Sequence, residues 1–184
     1  MRKKVLVPIA DGVEEIEAVC IIDVLRRAGA EVTVAAVDNL EVTASRGVRL
    51  VADRTLESCG AERFDLIALP GGLPGAEHLR DCRPLIDLLR EQARRNRLYA
   101  AICAAPAVVL QHHGLLEGRR ATCHPALAER LEPAARTGAR VVVDGNCITS
   151  QGPGTALEFA LELAARLFGP ERAEAVAGPM LARR

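Results

Sequence analysis

Four groups of residues in this chain have the types and surroundings that chemistry needs. Cys103 follows the uncharged run Leu98-Tyr99-Ala100-Ala101-Ile102 and precedes Ala104-Ala105-Pro106, after which apolar residues return at helical spacing. A thiol at such a junction meets the positive end of a helix dipole and unpaired N–H groups. These favour thiolate and can bring a pKa of about 8.5 into the range of roughly 3.5 to 7.5. His124, between Cys123 and Pro125, stands at a second strand-to-helix junction and is the histidine best placed to move a proton. Gly71 and Gly72 end another apolar run in Leu69-Pro70-Gly71-Gly72-Leu73-Pro74-Gly75. Glycine lets a backbone come close to a ligand, so their amides could point at an oxyanion. In Glu14-Glu15-Ile16-Glu17, a helical wheel at ~100° per residue puts Glu17 in the middle of the apolar stripe of Val13, Cys20, Ile21, Val24 and Ala28. Glu14 falls near the edge of that stripe and Glu15 on the far side. A carboxyl buried in that stripe takes up a proton unless something pairs with it.

Each residue also has a plain reading: a small core thiol, a capping histidine, a simple turn, a solvated acid. The elements that hold them decide between the two. Lys4 to Ile9 reads as a strand, followed by a helix from about Val13 to Ala28 that Gly29 stops. Glu31 to Val37 is a second strand, and Leu40 to Ala52 reads as a hairpin around Ser45-Arg46-Gly47. Asp65 to Leu69 is a buried strand and Leu85 to Arg95 an amphipathic helix. Leu98 to Ile102 is the strand before Cys103 and Ala107 to Leu116 the helix after it, ending at Gln111-His112-His113-Gly114. Arg120-Ala121-Thr122 reads as a short strand delivering Cys123 and His124. Arg140 to Val143 and Asn146 to Thr149 flank Asp144-Gly145 as a hairpin, and helices follow over Ala156 to Phe168 and roughly Glu171 to Leu181. This order predicts an α/β fold with a largely parallel sheet and helices on both faces, whose ligands sit at the carboxyl ends of the strands. The glycine turn, Cys103 and the Thr122 to Pro125 junction share that edge, and their convergence favours the chemical readings. The first turn lacks G-x-G-x-x-G and places carboxylates where a pyrophosphate would bind, so no dinucleotide site is expected.

Composition narrows the partners. The 184 residues suit one domain over 1–184. Hydrophobic residues are 49% of the chain but aromatics only 2%, so the core is aliphatic and no stacking platform for bases exists. The 24 basic residues balance 24 acidic ones, which argues against a nucleic-acid groove or a polybasic membrane surface. No apolar run is long enough to span a membrane, and a cytoplasmic protein is expected. The six cysteines are scattered without a C-x-x-C pair, and no metal site or cofactor is expected. Val19 and Ile22 on the outer side of the first helix point to a partner subunit.

The stretches Asp11 to Glu17, Leu69 to Gly72, Ala101 to Pro106, Cys123-His124-Pro125 and Thr149 to Thr155 together resemble the ThiJ/PfpI superfamily. They are most similar to the branch containing the Parkinson-disease protein DJ-one and its bacterial relatives. That resemblance implies a flavodoxin-like three-layer sandwich and a homodimer. It implies that Cys103 is the reactive cysteine at a nucleophile elbow, that Glu17 is a protonated acid bonded to it, and that His124 lies nearby. Gly71, Gly72 and the amide of Ala104 would form the oxyanion site, with Arg27 and Arg46 lining the pocket or the dimer seam. Ala104 stands where protease-like relatives have histidine, which disfavours a peptidase. Gln151 and Cys123 stand where DJ-one has arginine and threonine, the glutamine being shared by its bacterial relatives. The implied function is a glutathione-independent glyoxalase or deglycase acting on small dicarbonyls, glycated proteins or glycated nucleotides. The rival is a redox-responsive chaperone or sensor that uses the same cysteine.

Overall fold

Every residue of Val5 to Ile9 is buried, which requires cover on both sides of the first strand. The computed structural model, which describes residues 2–60 and 62–182, supplies that cover in three layers. In chain order the strands are β1 (Lys4–Ile9), β2 (Glu31–Ala36), β3 (Glu41–Thr43), β4 (Arg49–Val51), β5 (Arg54–Thr55), β6 (Leu66–Leu69), β7 (Leu98–Ile102), β8 (Val141–Asp144) and β9 (Cys147–Ser150). Seven of them form one sheet in the order β5-β2-β1-β6-β7-β9-β8, while β3 and β4 pair separately. All pairs in the large sheet are parallel except β8 with β9.

The helices are α1 (Glu15–Ala28), α2 (Gly75–Asp81), α3 (Arg83–Arg94), α4 (Ala156–Phe168) and α5 (Pro170–Ala177). Side chains of α1, α4 and α5 pack on one face of the sheet with Val5, Val7 and Ile9. Those of α2, α3 and the 106–111 segment pack on the other face with Leu6, Ile67 and Tyr99. This is the flavodoxin-like arrangement, and it brings the ends of β6, β7 and β9 to one edge. Among the described residues no helix is long and apolar enough to cross a membrane.

Several expectations change. The segment after Cys103 is a π-helical stretch, Pro106–Gln111, followed by turns, rather than an α-helix to Leu116. Arg120 to Thr122 does not form a strand: Ala121 makes a single bridge to Arg136, and the Thr122 N–H donates to the Thr149 hydroxyl instead of a carbonyl. The β8–β9 hairpin turns one residue later than expected, because Asp144 already pairs with Cys147 and Gly145 takes the positive φ. The last helix stops at Ala177, since Pro179 has no N–H to continue it. Helix α2 was not anticipated, its seven residues being too short to establish a period. Glu15 is buried rather than on an exposed far side: its carboxylate accepts from the Ser45 hydroxyl and the Arg46 N–H, both at 2.8 Å.

Candidate active site

Cys103 follows β7 with φ +63°, a left-handed conformation uncommon for any residue carrying a Cβ. Two backbone bonds hold it there. Its N–H donates to the Ser150 carbonyl at 3.0 Å, and its carbonyl accepts the His124 N–H at 2.8 Å. The chain reverses in a tight space. Ala104 and Ala105 are both buried, and a Cβ built on Gly71 would lie 2.7 Å from the Cys103 Cβ, 2.8 Å from the Ile102 carbonyl and 2.9 Å from the Ala104 nitrogen. Only glycine fits there. Gly72 has φ +88° and rests against the backbone of Gly12 to Glu14, so the β1–α1 loop and the glycine turn meet without side chains between them.

Glu17 is wholly buried, as its place on the apolar stripe predicts. Its Oε2 accepts the Gly71 N–H at 2.7 Å, whereas Oε1 has no partner of ordinary geometry. The carboxyl interacts with the Cys103 thiol, and burial pushes it up from 4.5 to about 7 despite these hydrogen bonds. The charge of Glu14 pushes in the same direction.

The Cys103 thiol is not lowered as the helix-dipole argument anticipated. Burial first, and then the charge and hydrogen bonding of Glu17, push it up to about 12, against the Gly72 and Ala104 amides that favour thiolate. The fold places an acid beside the sulfur, and its charge opposes the effect of the helix start. The two groups are one coupled system: the pair holds two protons in acid, and the first to leave can come from either group.

The remaining predicted residues divide. His124 is brought to Cys103 by the backbone bond just described, and its ring is near Gly152, where an added Cβ would lie 3.5 Å from its Cδ2. The ring is exposed, and its Nδ1 accepts the Ala126 N–H at 3.3 Å, which leaves the proton of the neutral ring on Nε2. Gly72 and Ala104 do present amides to the sulfur, but the Gly71 amide is committed to Glu17 and does not face an oxyanion. Arg27 pairs with Asp23 at 2.6 Å on the exposed side of α1, ten residues or ~15 Å of helix from Glu17. Arg46 is exposed in the β3–β4 turn, and its guanidinium donates to the Ser45 carbonyl at 3.2 Å. The hydrogen bonds of both arginines go to Asp23, Glu15 and Ser45 rather than to Cys103, Glu17 or His124. Among the described residues, no cluster of three or more His, Cys, Asp or Glu side chains could hold a metal ion.

Two supports were not singled out from the sequence. Glu14 caps α1 by accepting the Glu17 N–H at 2.8 Å, and the spacing E-x-x-E is the visible trace of that contact. Ser150, whose carbonyl receives the Cys103 N–H, anchors its own hydroxyl on the Arg140 carbonyl and Thr155 Oγ1, both at 2.7 Å. Its sequence signal is only a small polar residue ending an apolar strand.

Together these features define an α/β sandwich with a cysteine at a strained turn beside a buried acid. The chain belongs to the DJ-1/PfpI family, whose model matches residues 3–166. It is 54% identical over 170 residues to Protein DJ-1 homolog B of Arabidopsis thaliana, a match covering 92% of this chain and 39% of that longer protein. It is 37% identical over 178 residues to the glutathione-independent glyoxalase DJR-1.2 of Caenorhabditis elegans, covering 96% of this chain and 94% of the other. The solved structure of oxidized Toxoplasma gondii DJ-1 superposes with a TM-score of 0.97 at 48% identity, over 99% of this chain and 100% of that one.

Proposed function

We propose that this protein is a glutathione-independent glyoxalase that converts methylglyoxal-type dicarbonyls to hydroxy acids, with Cys103 as nucleophile. The observation that carries the reading is the buried Glu17 carboxyl beside the thiol, with one oxygen bonded to Gly71 and the other unpartnered. Such an acid is placed to exchange a proton with sulfur and with a substrate added to it. The name of the C. elegans relative supports the same substrate class.

The chemistry balances without a cofactor. The reactive form is the share of the singly deprotonated pair that carries its charge on sulfur and its proton on Glu17, a form the Gly72 and Ala104 amides support against burial. The thiolate adds to the aldehyde carbon, and the resulting alkoxide takes the Glu17 proton to give a hemithioacetal. The Glu17 carboxylate then removes the hydrogen from that carbon and returns it to the neighbouring one through an enediol. His124, donating from Nε2, stabilises the oxygen that gains charge. The product is a lactoyl thioester on Cys103, which water hydrolyses to lactate, restoring the thiol. The sum is methylglyoxal plus water to lactic acid. The same steps on adducts of proteins or nucleotides would constitute a deglycase.

A second reading uses the same atoms. The half-buried sulfur has two amides and an acid around it, a setting that would hold a sulfinate made by peroxide, and the Toxoplasma relative is described in an oxidized state. The test is lactate formation from methylglyoxal without glutathione, by wild type and by Cys103→Ser. Many turnovers, absent in the variant, are expected. At most one equivalent per site would refute the enzyme, and uptake of two oxygen atoms at Cys103 would then support the sensor.

Our reading also includes a homodimer in the cytoplasm. Of the two residues expected on the outer side of α1, Val19 is 47% exposed while Ile22 packs against the core; Ile16, 53% exposed, joins Val19 in an apolar face that a second copy would cover. All six cysteines are free, which fits a reducing compartment.

A further inference from the structure

A closed cycle of three hydrogen bonds joins the first turn of α1 to the glycine turn. The Glu17 N–H donates to Glu14 Oε2 at 2.8 Å. The Glu14 N–H donates to the Gly71 carbonyl at 3.0 Å. The Gly71 N–H donates to Glu17 Oε2 at 2.7 Å and closes the ring. The Glu14 backbone N–H and the Glu17 carboxyl thereby hold the two sides of a single glycine residue, and the Glu14 carboxyl ties the one to the other through the Glu17 N–H.

We infer that Glu14 is a positioning residue for the Glu17–Cys103 pair, its side chain fixing the turn that aims Glu17 and its negative charge keeping the shared proton there at neutral pH. The inference deepens the reading of Cys103 and Glu17 as nucleophile and acid, and rests on it. Capping alone does not explain a glutamate here, because Ser, Thr, Asp and Asn are the usual caps and a neutral hydroxyl would satisfy the same N–H. A carboxylate adds charge. That charge lies beside Glu17 and adds to the burial that makes the Glu17 carboxyl resist ionisation.

The other groups around the pair leave Glu14 as the charge that acts on it. The titratable neighbours of Glu17 are Cys103 across the site, Glu14, and Cys20 one turn on, whose thiol burial also raises. From the hairpin, the Glu15 carboxylate is turned to Ser45 and Arg46. Charges on the helices packed against α1 are engaged elsewhere: Glu158 with Arg140, Arg166 with Glu162, and Arg172 with the Ala28 carbonyl. Strands β1 and β2 present only apolar side chains to α1 at this level.

The experiment measures the rate of Cys103 alkylation by iodoacetamide against pH, followed by peptide mass, for wild type, Glu14→Gln and Glu14→Ser. Glutamine keeps an acceptor oxygen for the Glu17 N–H and removes the charge, while serine is a strong neutral cap that keeps the measurement available should glutamine cap poorly. The rate tracks thiolate. The thiol itself is pushed up to about 12, but a fixed share of the singly deprotonated pair carries its charge on sulfur, so the wild-type rate should take a first step with a midpoint near 7, where the pair loses its first proton. Without the Glu14 charge that proton leaves more readily, so both variants should show the midpoint about half a pH unit or more lower. A midpoint that is unchanged or moves up overturns the inference, as does a wild type with no transition near neutrality. Alkylation needs no dicarbonyl. Failure of lactate formation with the expected midpoint shift would refute the substrate class and leave the role of Glu14 standing.

Discussion

Replacing Glu17 by glutamine should make the protein more stable above neutral pH while damaging its chemistry. In the unfolded chain this carboxyl ionises near 4.5, and in the fold burial raises it to about 7. Between those values the native state keeps a proton that the unfolded state has released, so stability falls as pH rises through that window and levels off above 7. Each pKa unit is worth ~1.4 kcal/mol, so the native state loses roughly 3 kcal/mol by pH 8. Glutamine has nearly the same shape, and its oxygen can accept the Gly71 N–H while its amide N–H faces the Cys103 sulfur, but it does not ionise. Its stability should therefore lack this contribution to the pH dependence. For a chain of this size ~3 kcal/mol corresponds to a rise in Tm of about 6–12 °C relative to wild type at pH 8, shrinking towards zero near pH 5. Thermal unfolding of both proteins at pH 5, 6, 7 and 8 measures this. The informative quantity is the change of the difference with pH, because a constant offset would reflect only packing of the amide. Parallel curves would show that Glu17 is not held protonated by burial, and the acid role assigned to it would fail with them.

Gly71→Ala should be destabilised by at least the ~1–3 kcal/mol typical of overpacking, because its new Cβ meets backbone atoms and the Cys103 Cβ rather than a movable side-chain end. Denaturant unfolding should show this, and the Cys103 alkylation rate should change with it; a wild-type midpoint would mean the turn is looser than its contacts indicate. Val19→Glu, which places a charge on the exposed apolar side of α1, should convert the proposed dimer to monomer by light scattering, and a wild type already monomeric at micromolar concentration would remove that proposal. In the lactate assay Glu17→Gln should lose most turnover although it is the more stable protein at pH 8, the trade expected where a strained group serves function.

How much of this was legible in the sequence depends on what kind of atom does the work. Where side chains carry the information, the pattern is visible: Glu17 interrupts an apolar stripe, and Ala156 to Phe168 forms a helix with the predicted limits because its apolar spacing is unbroken. The fold class follows from the order of elements, and the glycine turn announces its position. The Gly71 and Gly72 amides could both point at an oxyanion on sequence grounds, and the Gly71 N–H instead donates to Glu17, because glycine advertises that a backbone can approach something, not what it approaches. The direction of the Cys103 shift was missed for a related reason. Local helix-start geometry argues for a lowered value, but the opposing effects are burial and Glu17, a residue 86 positions away in sequence.

The same distinction explains why the site can be tightly built from unremarkable residues. Cys103 is held at positive φ by the carbonyl of Ser150 and the N–H of His124, and its sulfur meets the amides of Gly72 and Ala104. None of those contacts depends on the identity of the contributing side chain, only on the path of β9, the 122–125 segment and the glycine turn. Side-chain chemistry is confined to the cysteine, the buried acid, the exposed histidine and, through its cap and charge, Glu14. Substitutions elsewhere near the elbow should therefore act by moving backbone, with stability and reactivity falling together. Changes at Glu14 and Glu17 should separate the two, because they alter where a proton resides while leaving the backbone that holds the sulfur in place.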